Sequence, residues 1–340
     1  MFSALVRDCL THVLRERLLV EELPAASPRG IRDGINALCG YIDGVTSPRE
    51  ESILARLQSE KVDRLFLDGS NLGRLASAAK RRDPGIEVVT LFHNVEARFF
   101  AGALRERPSL RALAVLIANY GAERLAVRFS DRRITLNRRD SDGIGRLYGR
   151  SATDLLPMAV ADLRGTSLEP SARPVSEDYL LFVGGGFYAN RAGIRWFATE
   201  VAPHIALVTC VVGRGLGDLR AELERGGKVR LIGEVDDLAP WYRHAKSIIA
   251  PIFDGSGMKT KVAEALMHGK RIAGTSEAFV GYEEVAGQVG WICDTKDAFI
   301  AAIREIERAT LPQFDLALRL LYERHYSFEA AKSRLAAILG

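Results

Sequence analysis

The feature that most constrains this 340-residue chain is the segment 247–275, which reads SIIAPIFDGSGMKTKVAEALMHGKRIAGT. It opens with an apolar, β-branched run that has the length of a buried strand, and a glycine-containing loop follows. A helical pattern comes next and ends near Gly269, and a second short apolar strand begins soon after it. A strand, a loop, a helix and another strand in this order predict a parallel sheet with a crossover helix.

The loop and the helix start of this segment have the composition of an anion-binding site. Backbone N–H groups at a helix N-terminus lack helical partners and attract phosphate groups. Lys259 and Lys261 place cations there, where they oppose the helix dipole and so favour a role other than helix stability. Glu264 lies among apolar neighbours, so its carboxylate should be partly buried and need donors such as ribose hydroxyls. These residues predict a nucleoside diphosphate site; solvated lysines and a surface glutamate are the alternative.

The alternation of strands and helices continues through most of the chain. Before a polar stretch at 165–177, the patterns predict strands at 63–68, 86–92, 133–136 and 155–158 and helices at 72–82, 109–129 and 140–149. After it, they predict strands at 179–183, 207–212, 229–232, 247–252 and 271–274. The helices predicted in the same half are at 190–201, 236–244, 296–308, 313–325 and 328–339. We therefore predict an α/β protein with two Rossmann-like, doubly wound domains that face each other across a cleft. The polar stretch is the predicted linker, which places the first domain at residues 1–168.

Glycine-rich loops follow three predicted strands of the second half. The first contains Gly184, Gly185 and Gly186, the second contains Gly213, and the third is the loop at 253–257. Ligands of doubly wound sheets bind at the carboxyl ends of strands, so these loops should lie along one edge. Each loop alone is equally typical of a tight strand-to-helix turn, and only their shared position favours a pyrophosphate site.

His93 follows the most apolar predicted strand of the first half, within the sequence His93-Asn94-Val95-Glu96. A lone histidine is more often structural than functional. Its position at the carboxyl end of a buried strand nevertheless places it where a substrate would bind, so both interpretations stay open.

The charge and composition exclude several classes of protein. Lys and Arg exceed Asp and Glu by four, and the excess lies in residues 1–170, which hold 26 basic and 22 acidic residues. This excess is too small to predict nucleic-acid binding, and it is compatible with an anionic membrane surface or with an ordinary solvated one. No spanning segment, secretory signal or metal-ligand spacing is recognisable, so we expect a cytoplasmic protein, possible contact with the inner face of the membrane, and no bound metal.

Four segments of the second half resemble the donor domain of GT-B glycosyltransferases, most closely the retaining enzymes of family 4. They are LLFVGGGFYANRAGIRWFATEV, VTCVVGRG, VRLIGEVDDLAPWYRHAKSIIAPI and FDGSGMKTKVAEALMHGKRIAGT, in that order. In the first half, DGSNLG, LFHNVEARFF and TLNRRDSDGIGRLYG resemble bacterial transferases that build surface polysaccharides. The resemblance implies a donor domain at 169–318 and a helical end at 319–340 that packs back on the first domain.

The resemblance also implies a nucleotide-sugar donor, no cofactor, and roles for individual residues. Lys259 and Lys261 would neutralise the diphosphate leaving group, Glu264 would hold the ribose, and His93 would lie near the transferred sugar. Charge that develops on the leaving group can be stabilised by such preorganised cations without a metal. The remaining donor-binding residues implied are Gly184, Gly185, Gly186, Gly213, Gly233, Val235, Asp254, Gly255, Ser256 and Gly257.

The chain departs from the family pattern in two places. Ser256 stands where many members have an acidic residue, and residues 1–60 contain no glycine-rich opening, so we expect an N-terminal domain without its first βα unit. The function expected is transfer of a sugar from a nucleotide-sugar to a lipid-linked or polysaccharide acceptor, with retention and without metal. The alternatives are a non-catalytic protein that binds a nucleotide-sugar or a transferase, and an epimerase of the same fold.

Overall fold

The computed structural model describes residues 2–24, 31–162 and 173–340. The chain divides into two compact units: an N-terminal unit, Leu10–Pro157 with Ile338–Gly340, and a C-terminal unit, Met1–Cys9 with Met158–Ala337. The predicted linker at 165–177 lies largely outside the described residues. The predicted α/β class with two Rossmann-like domains is confirmed, since each unit contains a parallel sheet flanked by helices.

The N-terminal unit has a parallel sheet in the order β1-β2-β3-β4. Its strands are β1 Arg64–Asp68, β2 Glu87–Phe92, β3 Arg132–Thr135 and β4 Asp154–Leu155. The core beside it is aliphatic, because β2 is buried on both faces and α4 packs its alanines on the sheet. The helices of this half are α1 Phe2–Leu14, α2 Ile31–Leu38, α3 Ser47–Ser59, α4 Gly73–Arg82, α5 Glu96–Glu106, α6 Leu110–Phe129 and α7 Arg138–Tyr148.

The C-terminal unit has a six-stranded parallel sheet in the order β10-β9-β8-β5-β6-β7. Its strands are β5 Tyr179–Val183, β6 Val208–Val212, β7 Val229–Gly233, β8 Ser247–Ala250, β9 Ile272–Gly274 and β10 Gly290–Ile292. The helices are α8 Tyr188–Trp196, α9 Arg220–Leu223, α10 Ala239–His244, α11 Thr260–Met267, α12 Ala286–Val289, α13 Lys296–Arg308, α14 Leu316–His325 and α15 Phe328–Leu339.

Several elements differ from the sequence-based expectation. The helices α2, α5 and α12 and the strand β10 were not predicted: α2, α12 and β10 are short, and the start of α5 has no capping side chain of its own. The helix expected up to residue 201 ends at Trp196 and continues as a wider π-type turn, Phe197–Val201. Helix α11 is buried on every side rather than on one face, because it lies in the interior of the C-terminal unit.

Candidate functional site

The C-terminal unit has a topological switch point between β5 and β8. The chain runs outward from β5 to β6 and β7 on one side, and from β8 to β9 and β10 on the other. The loops after β5, β6 and β8 follow adjacent parallel strands, so they lie on the same edge, as predicted. This crevice is where doubly wound folds bind their ligands.

The loops after β5 and β6 pack directly on each other through glycines. Gly184 donates its N–H group to the carbonyl oxygen of Val212, which ends β6, at 3.0 Å, and Gly186 donates to that of Arg214 at 2.8 Å. A Cβ atom on Gly186 would overlap the carbonyl oxygen of Gly215, and one on Gly213 would overlap that of Gly184. Gly184 and Gly186 therefore use their N–H groups within the fold and allow the two loops to pack closely, and the contact of the three glycines with a diphosphate stays a prediction.

The loop after β8 depends on two glycines for its backbone path. Gly255 has φ +133° and Gly257 has φ +67°, conformations that side chains with a Cβ rarely adopt. Asp254 accepts the N–H of Gly255 at 2.7 Å through its own carboxylate, which braces the turn beside Ser256. Of the other predicted donor residues, Gly233 ends β7 and Val235 follows it; the Gly233 carbonyl accepts the N–H of Gly213 at 2.7 Å.

Lys261 is buried near the start of α11, and its ammonium group has two partners in the C-terminal unit. Its Nζ lies 2.9 Å from Oδ1 of Asn190 in α8 and 4.3 Å from the ring centroid of Phe182. Asn190 in turn donates from Nδ2 to the carbonyl oxygen of Gly185 at 3.0 Å. Asn190 thus connects α11 to the loop after β5, a role that its place in a predicted helix did not reveal.

Burial lowers the pKa of Lys261 to about 7, Glu264 opposes this shift, and Lys259 adds to it. Removing an ammonium group from water disfavours its charged form, and a nearby cation disfavours it further. An anion that binds beside Lys261 would favour the charged form. The side chain is therefore ready to take up a proton when such a ligand arrives.

Glu264 is buried, as its apolar neighbours predict, with 7% of the residue exposed. The hydroxyl of Tyr242 donates to Glu264 Oε2 at 2.6 Å, and the Tyr242 ring stacks on His268 with centroids 4.7 Å apart. Burial raises the pKa of Glu264, whereas the Tyr242 hydrogen bond and Lys261 lower it. Tyr242 thus supplies one of the donors that a buried carboxylate needs. The ribose contact stays a prediction.

Lys259 is the N-cap residue of α11, and its side chain forms no capping hydrogen bond to the helix. Its Nζ forms an ion pair with Glu277 at 2.9 Å and donates to the carbonyl oxygen of Gly257 at 3.1 Å. Both partners of the ion pair are largely buried, with 10% and 13% of their side chains exposed. A diphosphate at Lys259 would join or replace a carboxylate that is already there.

His93 lies in the N-terminal unit, at the carboxyl end of β2. Its Nε2 is 2.7 Å from Oδ1 of Asp68, which ends the adjacent strand β1. Asp68 can orient the imidazole, as carboxylates do for histidines elsewhere. Sequence patterns did not predict this pairing, because the two residues lie 25 positions apart.

Glu123 of α6 anchors the segment that follows His93. This residue is fully buried, and its carboxylate accepts the N–H groups of Glu96 and Ala97, at 2.9 and 3.2 Å, which caps helix α5 from outside. The hydroxyls of Tyr148 and Ser70 reach the same carboxylate at 2.7 and 3.2 Å. Burial and then Glu123 raise the pKa of Glu96 to about 7.

We expect Glu123→Gln to lower the free energy of unfolding by about 1–2 kcal/mol. The NH₂ group of glutamine would replace a carboxylate oxygen that now accepts hydrogen bonds, so donors would face a donor. Thermal or urea unfolding of the whole chain measures this effect. Tyr148→Phe is the matched variant, since it removes one donor and leaves the carboxylate, and it should cost less. A stability unchanged by Glu123→Gln would show that the four hydrogen bonds contribute nothing net.

The described ranges contain no group of three or more histidine, cysteine, aspartate or glutamate side chains arranged to hold a metal ion. Across the same residues, no helix combines the length and the apolar character that crossing a bilayer would require.

Comparison with known proteins finds a family model and solved structures that resemble parts or most of this chain. Residues 177–308 match the family model described as "Glycosyl transferases group 1". A search of the curated proteins finds no match.

Solved structures of low sequence identity share the fold. A glycosyltransferase from Rickettsia africae ESF-5 is 11% identical, with a TM-score of 0.65 over 97% of this chain and 86% of that one. HepE from Anabaena, in complex with UDP, is 15% identical, with a TM-score of 0.64 over 87% of this chain and 83% of that one. WaaG, a glycosyltransferase involved in lipopolysaccharide biosynthesis, is 15% identical, with a TM-score of 0.58 over 94% and 85%.

The family match covers the strands and loops around the switch point, and the structural likeness extends over both units. Residues 177–308 are therefore similar to the glycosyl transferases group 1 family, and the chain has a fold of the GT-B glycosyltransferase type.

Proposed function

We propose that this protein is a glycosyltransferase that moves a sugar from a nucleotide-sugar to a lipid-linked or polysaccharide acceptor. The observation that carries the proposal is the buried ammonium group of Lys261, held by Asn190 beside the glycine loop at the switch point. Burying a cation costs free energy that an anionic ligand would recover. HepE was solved with UDP and with UDP-glucose, so uridine nucleotides are the first donors to test.

In the proposed reaction, the bond between the sugar and the diphosphate breaks while negative charge builds on the leaving group. Lys259 and Lys261 stabilise that charge in a largely water-excluded place, where fixed cations act most strongly. Glu264 holds the ribose, and His93, oriented by Asp68, contacts the transferred sugar. The reaction retains the configuration of the sugar and uses no metal ion.

The acceptor proposal places the protein in the cytoplasm, at the inner face of the membrane where lipid-linked sugars are extended. The net positive charge of residues 1–170 supports such a contact. Vesicle binding without donor tests the location separately from the chemistry.

Donor affinity should fall as the pH rises above 7. Lys261 has a pKa of about 7 without ligand, and a bound diphosphate raises it, so binding takes up a proton. Between the two pKa values, the dissociation constant should rise by up to about tenfold per pH unit. Calorimetric titration with UDP-glucose from pH 6.5 to 9 measures this trend, because its diphosphate diester does not titrate in that range.

Lys261→Met should abolish this pH dependence, whereas Lys296→Ala, a change to an exposed lysine on α13, should preserve it. A wild-type affinity that is flat across the range would contradict the role of Lys261.

A second candidate is a non-catalytic protein that binds a nucleotide-sugar. The observation that favours it is the smaller sheet of the N-terminal unit, which has four strands among the described residues against six in the C-terminal unit. Any turnover of a nucleotide-sugar, including slow hydrolysis of the donor, counts against this candidate.

A panel of nucleotide-sugars screened by thermal shift would identify the donor. A ligand that binds only the folded protein raises its stability by mass action, by about 2.7 kcal/mol at a hundred times its dissociation constant. One selective ligand is the expected result. If no nucleotide or nucleotide-sugar shifts the midpoint, both candidates lose their support.

A further inference from the structure

Glu277 carries a largely buried carboxylate at the ligand-binding edge of the C-terminal sheet. It follows β9, which is parallel to β8 and adjacent to it, so both strands end at the same edge. Its ion pair with Lys259 leaves only 13% of the Glu277 side chain exposed. The donor residues predicted from the sequence did not include Glu277, although the lysine that it contacts is one of them.

Lys259 places this ion pair directly on the loop after β8. Its Nζ donates to the carbonyl oxygen of Gly257 at 3.1 Å, and a Cβ atom on Gly255 would lie 3.7 Å from the same Nζ. The hydroxyl of Tyr282 donates to the carbonyl oxygen of Lys259 at 3.0 Å, which anchors the lysine backbone. The carboxylate of Glu277 therefore lies beside the glycines predicted to contact the diphosphate.

The backbone on both sides of Glu277 is held by hydrogen bonds. Ser276 donates its N–H to Oδ1 of Asp294 at 2.8 Å, and Ala278 donates its N–H to Oγ1 of the buried Thr275 at 3.1 Å. A segment that is tethered before and after the glutamate keeps the carboxylate close to Lys259 when a ligand binds.

A carboxylate in this position can bond only to hydrogen-bond donors. Phosphate oxygens are acceptors of the same charge sign, so a diphosphate gains nothing from direct contact with Glu277. The hydroxyls of the sugar attached to that diphosphate are donors, and bonds from them to a charged acceptor are stronger than bonds to a neutral one. Because Lys259 contacts Glu277 and is assigned to the diphosphate, the carboxylate lies where the sugar begins.

The neighbouring acidic side chains have other hydrogen bonds to make. Asp254 accepts the N–H of Gly255 at 2.7 Å within its own turn. Glu264 accepts the hydroxyl of Tyr242 at 2.6 Å and is the residue assigned to the ribose. Glu277 is therefore the acidic residue best placed for the sugar.

We propose that Glu277 lines the sugar subsite of the donor, where it accepts hydrogen bonds from sugar hydroxyls and disfavours sugars that carry a carboxylate. A uronic acid would bring a second acceptor-only anion against Glu277, which costs affinity through repulsion and through lost hydrogen bonds. The donor class that follows is a nucleotide linked to a neutral, hydroxyl-rich sugar. The inference rests on the proposed function, since it requires a nucleotide-sugar in the C-terminal unit.

The test is isothermal titration of the whole chain with UDP, UDP-glucose and UDP-glucuronate. We expect wild type to bind UDP-glucose about tenfold more tightly than UDP-glucuronate, or better, because like charges that meet in a binding site oppose binding. Glu277→Gln should weaken UDP-glucose binding by about tenfold and should reduce the discrimination against UDP-glucuronate. Its affinity for UDP should be no weaker than that of wild type.

The UDP measurement separates a sugar contact from an effect transmitted through Lys259, because UDP meets the same lysine but has no sugar. Glu284→Gln is the matched control, since it removes an exposed carboxylate from the same segment of the chain. It should bind all three compounds like wild type. Circular dichroism checks that both variants are folded, and the comparison of the two sugars on wild type needs no variant.

Several results would overturn the inference. An equal loss of UDP and UDP-glucose affinity in Glu277→Gln would make Glu277 only the partner of Lys259. Unchanged UDP-glucose affinity in that variant, or equal wild-type affinities for UDP-glucose and UDP-glucuronate, would remove its role at the sugar. In each of these cases UDP still binds and the proposed function stands. If none of the three compounds binds, the proposed donor and this inference fail together.

Discussion

Lys261→Ala and Lys259→Ala should each weaken nucleoside diphosphate binding by roughly 10- to 150-fold, the equivalent of about 1.5–3 kcal/mol for a hydrogen bond to a charged group. Lys261→Ala removes the buried cation that Asn190 holds beside the glycine loop. Lys259→Ala also leaves Glu277 without its ion-pair partner, so a carboxylate would then face the incoming diphosphate. Isothermal titration with UDP measures both losses.

Lys296→Ala is the control, because this lysine pairs with Glu200 on a partly exposed surface of the same unit. It should bind UDP like wild type. The double variant Lys259→Ala/Glu277→Ala should regain part of the affinity, since it removes the repelling carboxylate together with the lysine. Unchanged affinity in both single variants would eliminate the proposed donor site.

Gly193→Ala should lower the free energy of unfolding by about 3 kcal/mol, although alanine normally favours a helix interior. Gly193 lies in α8, and a Cβ atom there would overlap the carbonyl oxygen of Pro251, just after β8. Backbone atoms on both sides cannot move aside without shifting the helix. The midpoint of thermal unfolding should fall by roughly 6–12 °C.

The shift of α8 caused by Gly193→Ala should also weaken donor binding, because α8 carries Asn190, the partner of Lys261. Gly217→Ala is the comparison, since an added Cβ there meets open space. It should change stability by less than about 0.5 kcal/mol. If Gly193→Ala were as stable as Gly217→Ala, the packing of α8 on Pro251 would be looser than the structure has it.

Much of the fold could be predicted because local patterns agree with tertiary packing. Strand β5 is a continuous apolar run, and helix α13 combines an apolar period with a threonine cap at Thr295, so both lie where the sequence places them. Helix α5 was missed because its start is capped by Glu123, which is remote in sequence and leaves no local signal.

The residue types of the candidate site could be predicted from the sequence, but the side chains that contact them could not. The apolar neighbours of Glu264 indicated its burial, and the lysines indicated an anion. Their contacts come from elsewhere: Asn190 lies 71 residues from Lys261, and Tyr242 lies 22 from Glu264. Periodicity reports which face of an element is buried, but it does not report which side chains meet across a fold.

The interlocked glycines of the loops after β5 and β6 have a consequence for any redesign of these two loops. At Gly186 and Gly213, a carbonyl group of the opposite loop fills the space that a side chain would need. Libraries that vary one loop while fixing the other would therefore contain mostly unfolded members. Acceptable combinations should be found only by varying both loops together, since their substitutions couple instead of adding.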